Sequence, residues 1–456
     1  MGKLTLLLLF ITSLNSNALI PENFFQDDLT IIESIALKKK VTYFDLGPLY
    51  KGDQFHFYAK DPENRVSAEF PVPKYFYNSI HFWFNIYTLY NSNFSVLHDK
   101  KNLNIIYDVI DFTSLSKSGL NHHTKFALQS KLTLNKVKEL RKTFKNLGKR
   151  KSSGIQEQNI LKALKSARIK IPKGKSKRRN FFKKLSNNLR AQTGQKDNIQ
   201  RGLSNILPFE KSMNKYFEKF RLPIELKAIP FLESSFNTKA RSKVGATGTW
   251  QFMKHIGRHF MDVNRYTDGR LNPLLSSISA LHLLKQNKQI LKSWDLSITA
   301  YNSGPKHYIR AKRKLKKKNA DLEYILKNYK HPHIGFASIN FYSEFTALVY
   351  ALAYRENFYS EPNGNAHSRL KTFITKCTQS PKWYFDNIKK LEPDARKLNL
   401  HFKRKKLKVK LKKGQIIFSD VNLNPKRYYR LPDKYITKKY PKNWAKLVRK
   451  LKCNTI

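Results

Sequence analysis

Three short stretches of this chain place chemistry-capable residues close together. In IPFLESSFN (229–237) a single carboxylate, Glu233, is flanked by Ile229, Phe231, Leu232 and Phe236. Apolar neighbours desolvate a carboxyl group, which disfavours its charged form and raises its pKa. A glutamic acid that keeps its proton near neutral pH can donate it to a glycosidic oxygen. Downstream, GATGTWQFM (245–253) has Gly245 and Gly248, which permit tight turns or close backbone approach. Trp250, Phe252 and Met253 add apolar surface, and Gln251 offers an amide that both donates and accepts, as sugar hydroxyls and N-acetyl groups require. AYNSG (300–304) ends the helical pattern of SWDLSITAYNSG with an aromatic, an amide and a turn glycine. Taken singly, each stretch also reads as a helix end with packed aromatics, and glutamate is common on ordinary helices.

In this order, ESSFN, GATGTWQFM and AYNSG resemble the successive motifs of the family 23 lytic transglycosylases (SLT domain), whose catalytic domain is lysozyme-like. YTDGRLNP (266–273) and GFASINFYSEF (335–345) extend the match, and FPVPKYFYNSIHFWFNIYT with LNIIYDVIDF resembles the N-terminal region of the membrane-bound murein transglycosylase D subgroup. The likeness covers roughly residues 70 to 370 and is strongest over 220–345. It implies Glu233 as catalytic acid and then base, and substrate contacts from Ser234, Gln251, Met253, Tyr301 and Asn302, with Tyr342 as a further cleft tyrosine. The sequence departs from many relatives at Thr249-Trp250 and at Ser303, which stands where a small alanine is usual.

What the resemblance implies is a lyase acting on peptidoglycan. The acid protonates the oxygen leaving N-acetylmuramic acid, and the carboxylate so formed takes the proton of that sugar's C6 hydroxyl, which closes a 1,6-anhydro ring. A glycosidase that uses water needs a second carboxylate. Asp262 and Asp268 are the neighbours that could serve a lysozyme-like muramidase on the same scaffold. A catalytically inactive wall- or polyanion-binding protein is a third reading, which the intact Glu233, Gln251 and Asn302 oppose. Neither a cofactor nor a metal is expected, because His122-His123 and the run His331 to His333 lack acidic partners at ligand spacing.

The elements that must position these residues are mainly helical. Residues 205–360 are expected to form the catalytic domain, with Leu226, Ile229 and Leu232 at helical spacing after Pro223. Residues 19–204 read as a basic, mostly helical N-terminal region. Within it Ile80, Phe82, Trp83, Phe84, Ile86, Tyr87 and Tyr90 make a broad apolar helix face, and 103–112 reads as a strand. From 136 to 203 the helical spacing is Lys/Arg-rich, including KSKRRNFFKK (175–184). These runs are either solvated helix faces or polyanion contacts. Residues 361–456 form a basic C-terminal extension, where alternation through LKVKLKKGQIIF predicts short strands around a turn at Gly414.

Composition narrows the setting. The chain has 456 residues, 40% hydrophobic and 13% aromatic, enough for two or three domains and too apolar for disorder. Its formal net charge of +56 calls for polyanionic surroundings: peptidoglycan glycan strands, an anionic wall or membrane surface met through basic patches, or nucleic acid. No nucleic acid is expected, since no binding motif accompanies the charge. Lys3, the apolar run Leu4 to Ile11 and the small residues Ser16 and Ala18 read as a signal peptide cleaved after Ala18, hence an exported, periplasmic protein. Two cysteines, Cys377 and Cys453, permit one disulfide without establishing it.

Overall fold

A computed structural model describes residues 37–39, 41–45, 52–150, 154–332, 334–364, 366–367, 370–388, 394–438 and 442–453. The expected signal peptide lies outside them. Helices dominate and strands are confined to two small antiparallel sheets, the mainly α architecture expected. The chain divides into two compact units. Of the described residues, one holds those within 199–345 and 360–453, the other those within 37–198 and 346–359.

In the second of these, four strands lie in the order Phe44–Asp45, Ile106–Asp111, Phe94–Asp99, Leu189–Thr193. The strand expected within 103–112 is there, and side-chain alternation gives it and its neighbour two covered faces. Leu97, Tyr107 and Ile110 join a core with Leu128, Val137, Leu140, Phe144 and Leu147 of the helix His122–Gly148. On the opposite face His98 lies 4.5 Å, ring to ring, from Phe82 of the helix Tyr77–Thr88. His122–Gly148 begins at Asn121, whose side chain accepts from the Thr124 amide at 2.9 Å and so satisfies a helix-start donor. The basic stretch after 136 is not helical throughout. Leu189–Thr193 is a strand that pairs with Phe94–Asp99, a partner nearly a hundred positions away that local spacing cannot reveal.

The other unit gathers the helices Glu210–Phe220, Pro273–Leu291, Trp294–Ser303, Pro305–Lys314 and Leu322–Asn328, with Phe336–Ala353 up to Phe345. Its sheet has Lys371–Thr375 at the centre, between Ile416–Ser419 and Tyr428–Arg430. Only the second arm of the expected hairpin at Gly414 is therefore a strand. Before the turn, Leu411 makes an isolated bridge to Gln379, and Lys408, Lys410 and Lys412 stay exposed. Ile416–Ser419 pairs instead with Lys371–Thr375, a partner some forty positions earlier that local alternation cannot reveal. Cys377 and Cys453 form a disulfide across a sequence separation of 76 residues, tying the end of the last helix, Lys442–Lys450, beside this sheet.

Candidate active site

Glu233 is held by a very short helix, Ile229–Ser234, every residue of which is buried. Pro230 suits its first turn, where a missing N–H costs nothing. It ends abruptly because Ser235 and Phe236 both take left-handed backbone (φ +48° and +54°), a conformation that costs a non-glycine residue of order 1 kcal/mol or more. The Ser235 amide donates to the Phe231 carbonyl at 2.8 Å and that of Phe236 to Pro230 at 3.1 Å, which offsets the strain. A neighbouring helix can approach only because it carries Gly202, where a Cβ would meet the Phe231 ring at 2.8 Å.

The Glu233 carboxyl is 7% exposed and makes no hydrogen bond to the described residues. Burial lifts its pKa well above the usual carboxylate range, and the negative charge of Glu344 lifts it further. Tyr301 feels Glu233 in turn: burial first, then that charge, push its hydroxyl well up. Glu344, itself 5% exposed on Phe336–Ala353, is a site group the sequence reading passed over, although it lies inside GFASINFYSEF.

The second motif wraps around this helix. Ser234 Oγ donates to the Thr249 carbonyl at 2.9 Å, so its hydroxyl holds the loop. Trp250 is fully buried, with its indole N–H on Ser277 Oγ at 2.8 Å, and its carbonyl accepts from the Tyr301 hydroxyl at 2.7 Å. Gln251 has φ +47° and donates its side-chain amide to the Gly248 carbonyl at 2.8 Å, which leaves its amide oxygen for a ligand. At Gly248 (φ +80°) a Cβ would lie 1.7 Å from the Arg270 carbonyl oxygen, so no side chain fits there. Met253 is half-buried at the start of the helix Lys254–Gly257.

In the third motif Asn302 is 4% exposed; its amide oxygen accepts from Ser338 Oγ at 3.3 Å. Its amide nitrogen is buried without a partner among the described residues. A native protein rarely leaves such a donor unpaired unless something else satisfies it. Tyr342 is 4% exposed and stacks on Phe345, ring centroids 6.4 Å apart. The structure thus draws Glu233, Ser234 and Tyr301 into one constellation with the Thr249–Gln251 loop and joins Asn302 to the helix of Tyr342 and Glu344.

The loop 264–272 supports this constellation from behind. Arg270 makes two 2.9 Å contacts with the Asp268 carboxylate and donates to the carbonyls of Gly245 and Phe252 at 3.0 and 3.1 Å. Asp268 is therefore committed to a buried ion pair. Asp262 lines a small cavity with Thr267, His401 and Gln415, a set that does not include Glu233. Residues from the C-terminal segment grip the same loop: the Asp268 amide donates to the His401 carbonyl at 2.8 Å, and Lys403 N to the Tyr266 carbonyl at 3.1 Å. Asn272 donates to the Leu398 carbonyl at 2.7 Å while its side-chain oxygen caps the helix Pro273–Leu291.

Comparison with known families places these motifs. Residues 212–324 match the model of the Transglycosylase SLT domain. The chain carries an SLT domain. Every candidate residue except Tyr342 falls within it. The chain is similar to membrane-bound lytic murein transglycosylase D of Escherichia coli strain K12, at 33% identity over 96 residues, 21% of each chain. It is also similar to a putative tributyltin chloride resistance protein of Alteromonas sp. strain M-1, at 35% identity over 112 residues, 24% of this chain and 54% of that one. The match thus spans about a fifth of the murein transglycosylase and about half of the second relative. The resemblance stated from the motifs is met over the SLT domain.

Proposed function

We propose that this chain is a peptidoglycan lytic transglycosylase that cleaves the β-1,4 bond between N-acetylmuramic acid and N-acetylglucosamine, with Glu233 as acid and then base. The observation that carries the reading is the state of Glu233: buried, free of hydrogen bonds to the described residues, and raised in pKa inside an SLT domain. Such a carboxyl keeps its proton to a higher pH than an ordinary carboxylate and gives it to the departing glycosidic oxygen as the C1–O bond breaks. The carboxylate left behind takes the proton of the C6 hydroxyl as that oxygen bonds to C1. No water is consumed, and Glu233 ends protonated as it began. Intramolecular attack gains over water through effective concentration. The unpaired amide of Asn302 and the oxygen of Gln251 are assigned to sugar hydroxyl and N-acetyl groups, Met253 and Tyr342 to apolar contact, and Ser234 and Tyr301 to holding the loop around the acid.

One observation favours a second reading. Glu344 supplies a second buried carboxylate within electrostatic reach of Glu233, and a muramidase would use such a group to activate water. Incubation of sacculi with the purified chain separates the two: anhydro-ended fragments support the lyase, and reducing-ended fragments alone support the hydrolase. The envelope is the proposed location. The disulfide between Cys377 and Cys453 suits an oxidising compartment, and among the described residues no helix is long and apolar enough to cross a membrane.

A further inference from the structure

The basic runs of the N-terminal region are brought to one corner by helix packing. His122–Gly148 and Lys175–Asn188 cross so tightly that a Cβ on Gly148 would sit 3.4 Å from the Arg179 Cα. Arg178 reaches back over Phe182, 5.1 Å from the ring, and donates to the Leu147 carbonyl at 2.8 Å; Arg150 donates to the Lys173 carbonyl. Lys145, Lys149, Arg150, Lys173, Lys175, Lys177 and Arg179 are all exposed around this crossing. Burial depresses the pKa of Arg178, and the charge of Arg150 adds to the shift.

Carboxylates do not relieve the crowding. His122–Gly148 has one, Glu139, which faces Lys136 at 3.6 Å; Ile155–Ser166 has one, Glu157, which caps the Gly154 amide at 2.9 Å; Lys175–Asn188 has none. The uncapped first turn of Lys175–Asn188 adds the positive end of a helix dipole to the same corner. Like charges held this close repel one another, and a bound polyanion removes that cost. The surface offers little to a bilayer. Among the described residues from 141 to 188 Ile155 is the one exposed large apolar residue, and a helix that lies in a membrane needs a whole apolar face.

We propose that this corner, centred on Lys149, Lys177 and Arg179, is a docking site for the carboxylate-bearing peptides attached to peptidoglycan strands. The proposal rests on the peptidoglycan reading above and adds to it a second contact on the same polymer, in the unit that lacks Glu233. Exposed ion pairs are individually weak, so the corner would act through number and would be sensitive to salt, which screens such charges over about 8 Å at physiological strength.

The test uses the full chain with Glu233→Gln, so that sacculi stay intact during binding. In that background Lys149→Gln, Lys177→Gln and Arg179→Gln together should weaken sacculus binding about tenfold at physiological salt. Lys149→Arg, Lys177→Arg and Arg179→Lys should bind like the parent, and an unchanged melting temperature in the charge-removed variant separates lost contact from lost fold. Sacculi whose peptide carboxyls have been amidated should bind the parent no better than intact sacculi bind the charge-removed variant. With Glu233 intact, that variant should cleave short soluble glycans at the normal rate. Undiminished sacculus binding by the charge-removed variant, or full binding of the parent to amidated sacculi, overturns the proposal. Binding to phosphatidylglycerol vesicles that depends on these three residues, with none to sacculi, would reassign the corner to lipid. A chain that binds in this way but releases no glycan fragments would refute the enzymatic reading and leave the docking site standing.

Discussion

Asn272 and His401, far apart in sequence, meet at 3.1 Å inside the protein, with the asparagine amide donating to the histidine Nδ1. His401 Nε2 then carries the proton and donates to the Ile416 carbonyl at 2.9 Å. The imidazole must be neutral to do both. Through Asn272, which caps Pro273–Leu291, the C-terminal segment is fastened to the loop that steadies the second motif.

A pH dependence follows. Burial, and then the charge of Arg396, push the His401 pKa down to about 4, against an ordinary value of 6.5. The unfolded chain takes up this proton before the folded one does, so His401 costs nothing above about pH 6.5 and destabilises increasingly as pH falls toward 4. A gap of this size amounts to about 3 kcal/mol. Buried His98, depressed to about 3, adds a slope of the same sign in the other unit. The contribution of His401 is therefore read as a difference: urea unfolding at pH 7 and pH 5 should show a shallower loss for His401→Gln than for the parent. Equal losses in both proteins would refute the linkage.

Glu344 gives a prediction of opposite character. Its charge helps keep Glu233 protonated, and in the proposed reaction the acid works only while protonated. Glu344→Gln should therefore lower the pKa of Glu233 and shift the alkaline limb of the activity profile to lower pH, with turnover on the acid side kept within about tenfold of wild type, the loss of one modest contact. An unmoved alkaline limb contradicts the coupling. Near-complete loss at every pH in a folded variant would instead favour Glu344 as the base of a hydrolase.

The back support of the second motif should be intolerant of change. Gly248→Ala places a methyl group on the Arg270 carbonyl at a backbone angle that disfavours any side chain, and should cost several kcal/mol in chemical unfolding. Asp268→Asn leaves Arg270 buried without its counter-charge and should cost about 3 kcal/mol, with proportionate activity regained at low temperature where the fold is intact. Loss of activity by Asp268→Asn with no loss of stability would restore Asp268 as a chemical group.

The site was legible where its signals are local. ESSFN, GATGTWQFM and AYNSG each carry their residues within a few positions, and the apolar flank of Glu233 foretold its raised pKa in direction. What escaped is what depends on distant partners. Glu344 looked like an ordinary polar residue of a helix because only folding brings it near Glu233. The Ser234 hydroxyl donates to the Thr249 carbonyl, a partner fifteen positions on that the motif by itself does not reveal. The strand Leu189–Thr193 and the grip of His401 and Lys403 on residues 266–268 join segments separated by long stretches of chain, and the Cys377–Cys453 pairing was likewise open until the fold closed it.

In the proposed reaction one carboxyl, Glu233, performs both proton transfers and no water is consumed. Mass analysis of fragments released from purified sacculi, by wild type and by Glu233→Gln, tests it most directly. Wild type should release fragments lighter by one water than muramidase products, and the folded Glu233→Gln variant, which cannot donate the proton, should release them at a rate lower by about a thousandfold. Reducing-ended fragments as the sole product, or near-normal release of anhydro fragments by Glu233→Gln, would contradict it.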